Sequence, residues 1–282
     1  MKWITVSRKM GTNGAQIAGR VAQELGYRLY DTEAINQTGR EMGVLESVQE
    51  VDEKAPSLFQ RLFSQRPTVD YDRLYSVIYE LAKRGDAVFL GRGSHILLKS
   101  FACALHVRIT ASPEKRVRTL MERGFNREAA LAAMKRTDDE RSSFIRAAFG
   151  VDWEDPDLYD LVLNMDKLSV DLAVATVVHL ARSSEIADAS ADAVRLLETL
   201  GLSSRVEAAL IEAGITSARG RGERVTALSS LTASVVEPGT VRLSGQVDTA
   251  ERRAEAERVV RSVIGVQSVE NDVRVLRPQA AV

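Results

Sequence analysis

From residue 1 to about 182, short β-rich runs alternate with longer helix-periodic segments, a pattern that fits a parallel sheet covered by helices better than any other architecture. Trp3-Ile4-Thr5-Val6 reads as a first buried strand, and Ala15 to Leu25 as a helix with Ile17, Val21, Ala22 and Leu25 on one face. Tyr27 to Tyr30 makes a short second strand ending at Asp31. Tyr71 to Arg84 places Leu74, Val77, Ile78 and Leu81 at helical spacing and feeds Ala87 to Leu90, a central strand followed at once by Gly91-Arg92-Gly93. Ala104 to Ile109 is a further strand, and Ser112-Pro113-Glu114 has the order N-cap, N1 proline, first-turn acid. Leu161 to Asn164 supplies the last strand, and Ser169 to Arg182 the closing helix.

Residues 183 to 195 are small, polar and weakly patterned, so a linker is expected there. The chain then changes character. A helix is expected over Ser204 to Glu212, then a Gly/Arg-rich stretch over Gly214 to Arg224 and strict alternation in Val241 to Val247. Thr249 can cap a helix whose Ala256, Val259, Val260, Val263 and Ile264 form an apolar stripe, and Val269, Val273 and Val275 alternate with charges in a final strand. Gly245 reads as a bend in a strand and Gly265 as the residue that ends a helix. This order of elements is that of a small α+β sandwich.

Composition narrows the function classes. There are 26 basic and 25 acidic residues in 1 to 182 and 12 against 14 thereafter, so neither half is built to attract nucleic acid or an anionic membrane through net charge. A single cysteine, Cys103, excludes an intramolecular disulfide framework and reads as a small buried apolar residue. Three scattered histidines, His95, His106 and His179, do not suggest a metal site, and none is assigned. The first apolar run reaches Ser7-Arg8-Lys9 too soon for a secretory segment, so the expected location is cytoplasmic. The acidic stretch from Asp152 to Asp160 is interleaved with Trp153, Pro156 and Tyr159, which points to a packed turn rather than a metal site.

Two features carry chemistry. The first strand runs into Ser7-Arg8-Lys9-Met10-Gly11-Thr12-Asn13-Gly14 and then a helix, an arrangement that aims backbone N–H groups at one point where an anion, phosphate above all, is favoured. The loop departs from Gly-x-x-x-x-Gly-Lys-[Ser/Thr], because Gly14 stands at the lysine position. A tight strand-to-helix turn without a ligand explains this segment equally well. The second feature is the group Arg92, Arg116, Arg123, Arg136 and Arg141, residues able to bind phosphate oxygens bidentately without losing their charge. Arg92 stands out because it sits between glycines at the carboxyl end of a strand.

Residues 2 to about 182 resemble the cytidylate kinase-like branch of the P-loop nucleoside monophosphate kinases. The resemblance is carried by Ile4 to Arg8 and Gly11 to Gly14, by Leu25-Gly26-Tyr27-Arg28-Leu29-Tyr30-Asp31, by Gly91-Arg92-Gly93 and by Ile109 to Ser112 leading to Arg116. It continues through Asp139-Glu140-Arg141-Ser142-Ser143-Phe144 and Val151 to Asn164. Residues 196 to 277 resemble a BON domain through Gly239 to Asp248, Ala250 to Arg261 and Ile264 to Val275. The resemblance implies a P-loop NTPase-like α/β fold, with a mostly parallel sheet over 1 to 182. It further implies a linker over 183 to 195, a smaller α+β BON-like domain over 196 to 277 and a tail over 278 to 282.

The implied activity is transfer of phosphate from ATP, with Mg2+, to a nucleoside monophosphate such as CMP. Ser7, Arg8, Gly11, Thr12, Asn13 and Gly14 would hold the donor, Asp31 and Arg92 the acceptor, and Arg8, Arg116, Arg123 and Arg136 would act on the transferring phosphate. Authentic cytidylate kinases carry the loop lysine, a glycine where this chain has Arg8, and an Asp-Gly-Arg-Asp segment where it has Leu90-Gly91-Arg92-Gly93. The alternative is a catalytically weak nucleotide sensor that signals through its BON domain. That domain lacks aromatic residues from 183 onward, and protein docking, onto the kinase-like domain or a second copy of the chain, is expected rather than lipid binding.

Overall fold

The computed structural model describes residues 1–43, 67–216 and 230–276. The chain divides into two compact units, Met1–Gln37 with Leu81–Ala193, and Thr38–Glu80 with Val194–Val282.

The sheet of the first unit comprises β1 (Trp3–Arg8), β2 (Arg28–Tyr30), β3 (Ala87–Leu90), β4 (Ala104–Thr110) and β5 (Leu161–Asn164). Every pair is parallel, in the order β2-β3-β1-β4-β5. The connections use α1 (Gly14–Leu25), α2 (Thr32–Glu41), α3 (Pro67–Lys83), α4 (Ser94–Leu97), α5 (Pro113–Met121) and α6 (Arg127–Phe149), and α7 (Val170–Arg182) follows β5. Both strand ends at 87–90 and 161–164 fall where the sequence pattern puts them, and Ser112 and Ser169 cap α5 and α7 through their side chains. β1 differs from expectation. It continues through Ser7 and Arg8, because both still pair with β4, at Arg108 and Ile109. The first two residues assigned to the loop are therefore strand residues.

Strand alternation gives this sheet two unlike faces. Ile4, Val6, Val88, Leu105, Val107 and Ile109 join Ile17 and Val21 of α1 and Val174 and Val177 of α7 in a dry core. On the opposite face Thr5, Ser7, His106 and Arg108 are buried too, paired in register as Thr5 with His106 and Ser7 with Arg108. Neighbouring strands β1 and β4 send their following segments to opposite sides of the sheet, which opens a crevice beyond their carboxyl ends.

In the second unit β6 (Ser230–Glu237) pairs antiparallel with β7 (Thr240–Val247), and β7 pairs parallel with β8 (Ser268–Asn271) and β9 (Arg274–Val275). The helices are α8 (Ala191–Glu212) and α9 (Ala250–Ser262), the latter capped by the Thr249 side chain as its sequence suggests. Leu202, Val206 and Leu210 of α8 meet Val241, Leu243 and Val247 of β7 and Ala256 and Val260 of α9 in one core. The part of α3 up to Glu80 belongs to this unit. Its Arg73 bonds Glu212 at 2.8 Å, and Gly201 of α8 lies where an added Cβ would be 3.6 Å from Tyr79.

Several expectations for this half are corrected. The helix begins at Ala191 rather than Ser204, and its first turns bury Leu197 on a different face from Leu202, Val206 and Leu210. Ile264 is 78% exposed and leaves the proposed stripe, since α9 ends at Ser262 with Val263, not Gly265, in the capping position. The final strand is split into β8 and β9 at Asp272-Val273. Much of the Gly/Arg-rich stretch, residues 217 to 224, lies outside the described residues. Among the described residues no helix is long and apolar enough to cross a membrane.

Candidate functional site

Beyond the end of β1 the chain turns through Lys9–Asn13 into α1. The turn is closed by the Thr12 hydroxyl donating to the Lys9 carbonyl at 2.9 Å, and Asn13 is left-handed at φ 61° in the capping position. Two glycines are required by close approach. At Gly11, φ +81°, a Cβ would come within 2.8 Å of the Arg116 carbonyl, and at Gly14 it would lie 2.5 Å from Arg8 Cβ. The Arg8 side chain therefore crosses directly over the start of α1. Its far end reaches the β3 turn, where an added Cβ on Gly91 would be 2.5 Å from Arg8 Nη1. One guanidinium thus lies against both the loop after β1 and the turn after β3.

That second turn is unusual. Gly91, Arg92 and Gly93 are all left-handed, at φ 82°, 57° and 72°. For Arg92 this conformation costs about 1–2 kcal/mol, a strain that is retained where the backbone is held by its surroundings. The surroundings here do hold it. Gly91 N–H donates to the Val6 carbonyl at 3.1 Å, Ser94 Oγ donates to the Gly91 carbonyl at 2.9 Å, and Phe149 of α6 fills the space where Gly93 would carry a side chain. Arg92, half-buried, is presented at the carboxyl end of β3, as its position between two glycines suggests.

Helices α5 and α6 clamp the loop. Arg116, only 6% exposed, donates from Nε to the Met10 carbonyl at 2.6 Å and pairs through Nη2 with Asp138. Asp138 also accepts the Met10 N–H at 3.0 Å, and Arg141 donates to the Arg8 carbonyl at 2.9 Å. Arg123 donates to the side-chain oxygen of Asn13. Lys9 is turned aside to Glu154, 2.9 Å away.

Beneath the loop lies a buried polar layer. The Ser7 hydroxyl accepts from Trp153 Nε1 at 2.8 Å and is 3.3 Å from the Tyr159 hydroxyl. Arg108, 3% exposed, donates to the Trp153 carbonyl and to the Tyr159 hydroxyl at 3.0 Å, and its guanidinium carbon lies 4.5 Å from the Trp153 ring centre. Its Nη2 is 2.8 Å from Glu154, at ion-pair distance but without hydrogen-bond alignment. His95 stacks on Tyr159 with ring centres 4.9 Å apart. Burial, with smaller contributions from His106, Arg108 and Lys99, holds the His95 imidazole down at about 3, so it is neutral at physiological pH. Burial likewise lowers His106 and raises Tyr159.

The sequence and fold of this chain have counterparts among known proteins. The cytidylate kinase-like family matches residues 3–167, and the BON domain matches residues 202–277. The chain belongs to the cytidylate kinase-like family. Among solved structures, an uncharacterized protein from Eubacterium ventriosum ATCC 27560 is similar with a TM-score of 0.52 and 22% identity, over 64% of this chain and 97% of that one. That likeness concerns the fold. More distant are the shikimate kinase of Bacteroides thetaiotaomicron (TM-score 0.40, 12% identity, 64% of this chain and 99% of that one) and the deoxyadenosine kinase of M. mycoides (0.37, 11%, 64% and 100%). Among curated proteins none matches this sequence.

In this cytidylate kinase-like chain the expected site residues are distributed unevenly. Arg8, Gly11, Thr12, Asn13, Gly14, Arg116 and Arg123 come together at the loop, and Arg92 lies across from it on the β3 turn. Ser7 is present but its hydroxyl is taken by Trp153 and Tyr159. Asp31 accepts the Ala34 N–H at 3.0 Å and so caps α2, while Arg136 stands on an exposed face of α6. The acidic stretch is a packed turn: Asp155 caps a short 3-10 helix over Pro156–Leu158, and Asp160 accepts the His106 N–H at 2.7 Å. Sequence reading missed Arg108 and Asp138. Arg108 had a signal, since His106 and Arg108 interrupt the apolar Leu105, Val107 and Ile109 in a strand buried on both faces.

Proposed function

We propose that this chain transfers a phosphoryl group from ATP to a nucleoside monophosphate, with CMP the acceptor favoured by family likeness. The observation that carries this reading is the Arg8 side chain, which extends from the start of α1 to the Gly91-Arg92-Gly93 turn. Such a guanidinium touches both places where phosphates would lie and supplies a cation where the loop has Gly14 instead of lysine. The glycine-shaped turn and the first N–H groups of α1 suit a polyphosphate. Gly11, Thr12, Asn13 and Gly14 would hold the donor, Arg92 the acceptor phosphate, and Arg8, Arg116 and Arg123 the charge that spreads during transfer.

Among the described residues no cluster of His, Cys, Asp or Glu is arranged to hold a metal, so Mg2+ would enter on the donor phosphates. It would neutralise phosphate charge there. Ser7 and Trp153 would support the loop from below, Asp31 would border the acceptor side from its place at the start of α2, and Arg136 would approach only if α6 closed over the donor. The location we assign is the cytoplasm. The functional boundary falls in 183 to 195, with the BON domain docking onto protein, either this chain's own kinase-like domain or a second copy.

A coupled assay over the nucleoside monophosphates, run beside calorimetric titration with ATP, tests the reading: turnover with at least one acceptor is expected. Arg92→Ala should weaken acceptor binding about ten- to a hundredfold, the loss of a bidentate charge-assisted contact. Unchanged acceptor affinity would remove Arg92 from the site. A second reading, a nucleotide sensor without turnover, is favoured by Gly14 at the lysine position and by a loop N–H already given to Asp138. ATP binding without turnover would select it.

A further inference from the structure

The clamp on the loop contains one anion. Asp138 of α6 receives the Met10 N–H at 3.0 Å through one carboxylate oxygen and Arg116 through the other, with Arg141 4.0 Å away. Arg116 cannot turn elsewhere, because its Nε is fixed on the Met10 carbonyl at 2.6 Å. A loop amide and a buried, permanently charged guanidinium thus converge on a single carboxylate, the same donor set that a phosphate oxygen would take. Guanidinium has donors only, so whatever occupies this position must be an acceptor, and an anion best of all.

We propose that Asp138 is the resident anion of the loop, standing in for a donor phosphate until a polyphosphate displaces it. This rests on the reading of the loop as a phosphate site. A triphosphate offers more acceptor oxygens and more negative charge than one carboxylate, so it competes successfully for Met10 N–H and Arg116. Release of Asp138 has a consequence at the other end of the same helix. Phe149, about 16 Å along α6 from Asp138, packs where Gly93 has no side chain, so α6 links the loop to the turn that presents Arg92. Displacement of Asp138 leaves α6 tied to the loop by Arg141 on the Arg8 carbonyl, so a change at the donor site passes along the helix toward the acceptor turn.

The test is calorimetric titration of the full chain with inorganic tripolyphosphate, comparing wild type with Asp138→Asn and Asp138→Glu. Asparagine keeps the acceptor for Met10 N–H but removes the charge. Binding should tighten about tenfold in Asp138→Asn, the difference between a charge-assisted and a neutral hydrogen bond, and stay near wild type in Asp138→Glu. Equal or weaker binding by a folded Asp138→Asn protein overturns the proposal. If that variant does not fold, the Met10 amide resonance of the wild-type protein decides: it should shift on saturation with tripolyphosphate, and an unmoved resonance overturns the displacement. Absence of tripolyphosphate binding in both proteins overturns this proposal together with the donor site. Tighter binding by Asp138→Asn without nucleotide turnover supports the displacement and overturns only the transfer activity.

Discussion

The two sheets of this protein treat their polar residues in opposite ways. In the parallel sheet, Thr5, Ser7, His106 and Arg108 face a layer closed off by His95, Trp153 and Tyr159, and all seven are buried. In the mixed sheet, the outward positions of β7 are solvated. Arg242 is 46% exposed on its pairing with Glu270 at 2.7 Å, and Thr232 and Ser244 exchange a hydroxyl bond at 3.0 Å. A parallel sheet is covered on both faces by its crossovers, so polar groups there must find partners inside. A sheet with an antiparallel hairpin needs cover on one face only. The difference also explains where chemistry can gather. The parallel strands all deliver their following loops to one end, whereas the small sheet, with one antiparallel pair, distributes its turns between both ends.

The largest effect that would break this contrast is at Arg108. Replacing it with Met takes a charged donor from the buried Trp153 carbonyl and Tyr159 hydroxyl, while half-exposed Glu154 is resolvated; at about 1.5–3 kcal/mol for each charge-assisted bond the loss should be about 3–5 kcal/mol, read as a large fall in melting temperature. Loss below 1 kcal/mol would mean that the buried layer is no more demanding than the exposed one. Next come two left-handed glycines. Gly93→Ala adds a Cβ 2.3 Å from the Phe149 ring and should cost about 2–4 kcal/mol from strain and overpacking. Gly239→Ala, at φ +82° in the second unit, meets only the Gln267 side chain at 2.8 Å, which can rotate away, and should cost about 1–2 kcal/mol. Equal losses at the two sites would erase the distinction between a braced turn and a free one.

Acid sharpens the comparison further. His95 is held neutral down to about 3 in the fold but takes a proton near 6.5 when unfolded, so the unfolded chain binds more protons between those values and stability falls as pH falls. From pH 7 to pH 5 this one group should remove about 2 kcal/mol, visible as a falling urea midpoint that His95→Gln flattens. A wild-type midpoint that holds constant over this range would contradict a neutral buried imidazole. The smallest effect belongs to the mixed sheet: Arg242→Met should change stability by less than about 1 kcal/mol, as for an exposed pair, and the same substitution in 1 M salt should show no effect at all.

The segments whose periodicity and caps agree with one another are legible in the sequence. Ser112-Pro113-Glu114 and Thr249 announce helix starts by chemistry local to a few residues, and Ala87–Leu90 and Leu161–Asn164 are bounded by their neighbours. The same locality explains the errors. Residues 183 to 195 read as weakly patterned because Ala, Ser and Asp carry little hydrophobic signal, yet the helix already begins at Ala191, and its later turns are held by what Leu202 and Val206 pack against. Ile264 is apolar and at helical spacing, yet the chain has left the helix before reaching it.

For the site, the strand, the glycines and the arginines are legible in residue type alone, because a tight turn needs Gly11 and Gly14 and a phosphate needs cations. The sequence did not separate Arg116 and Arg123, which reach the loop, from Arg136, which stays on an outer face of α6. Nor did it bring Asp138 to Met10 or Arg108 beneath Ser7. These pairs are far apart in the chain, and contact between them depends on how β4, α5 and α6 cross the end of β1. A hydrogen bond acts over about 3 Å, so only the tertiary arrangement decides which of many similar charges become partners.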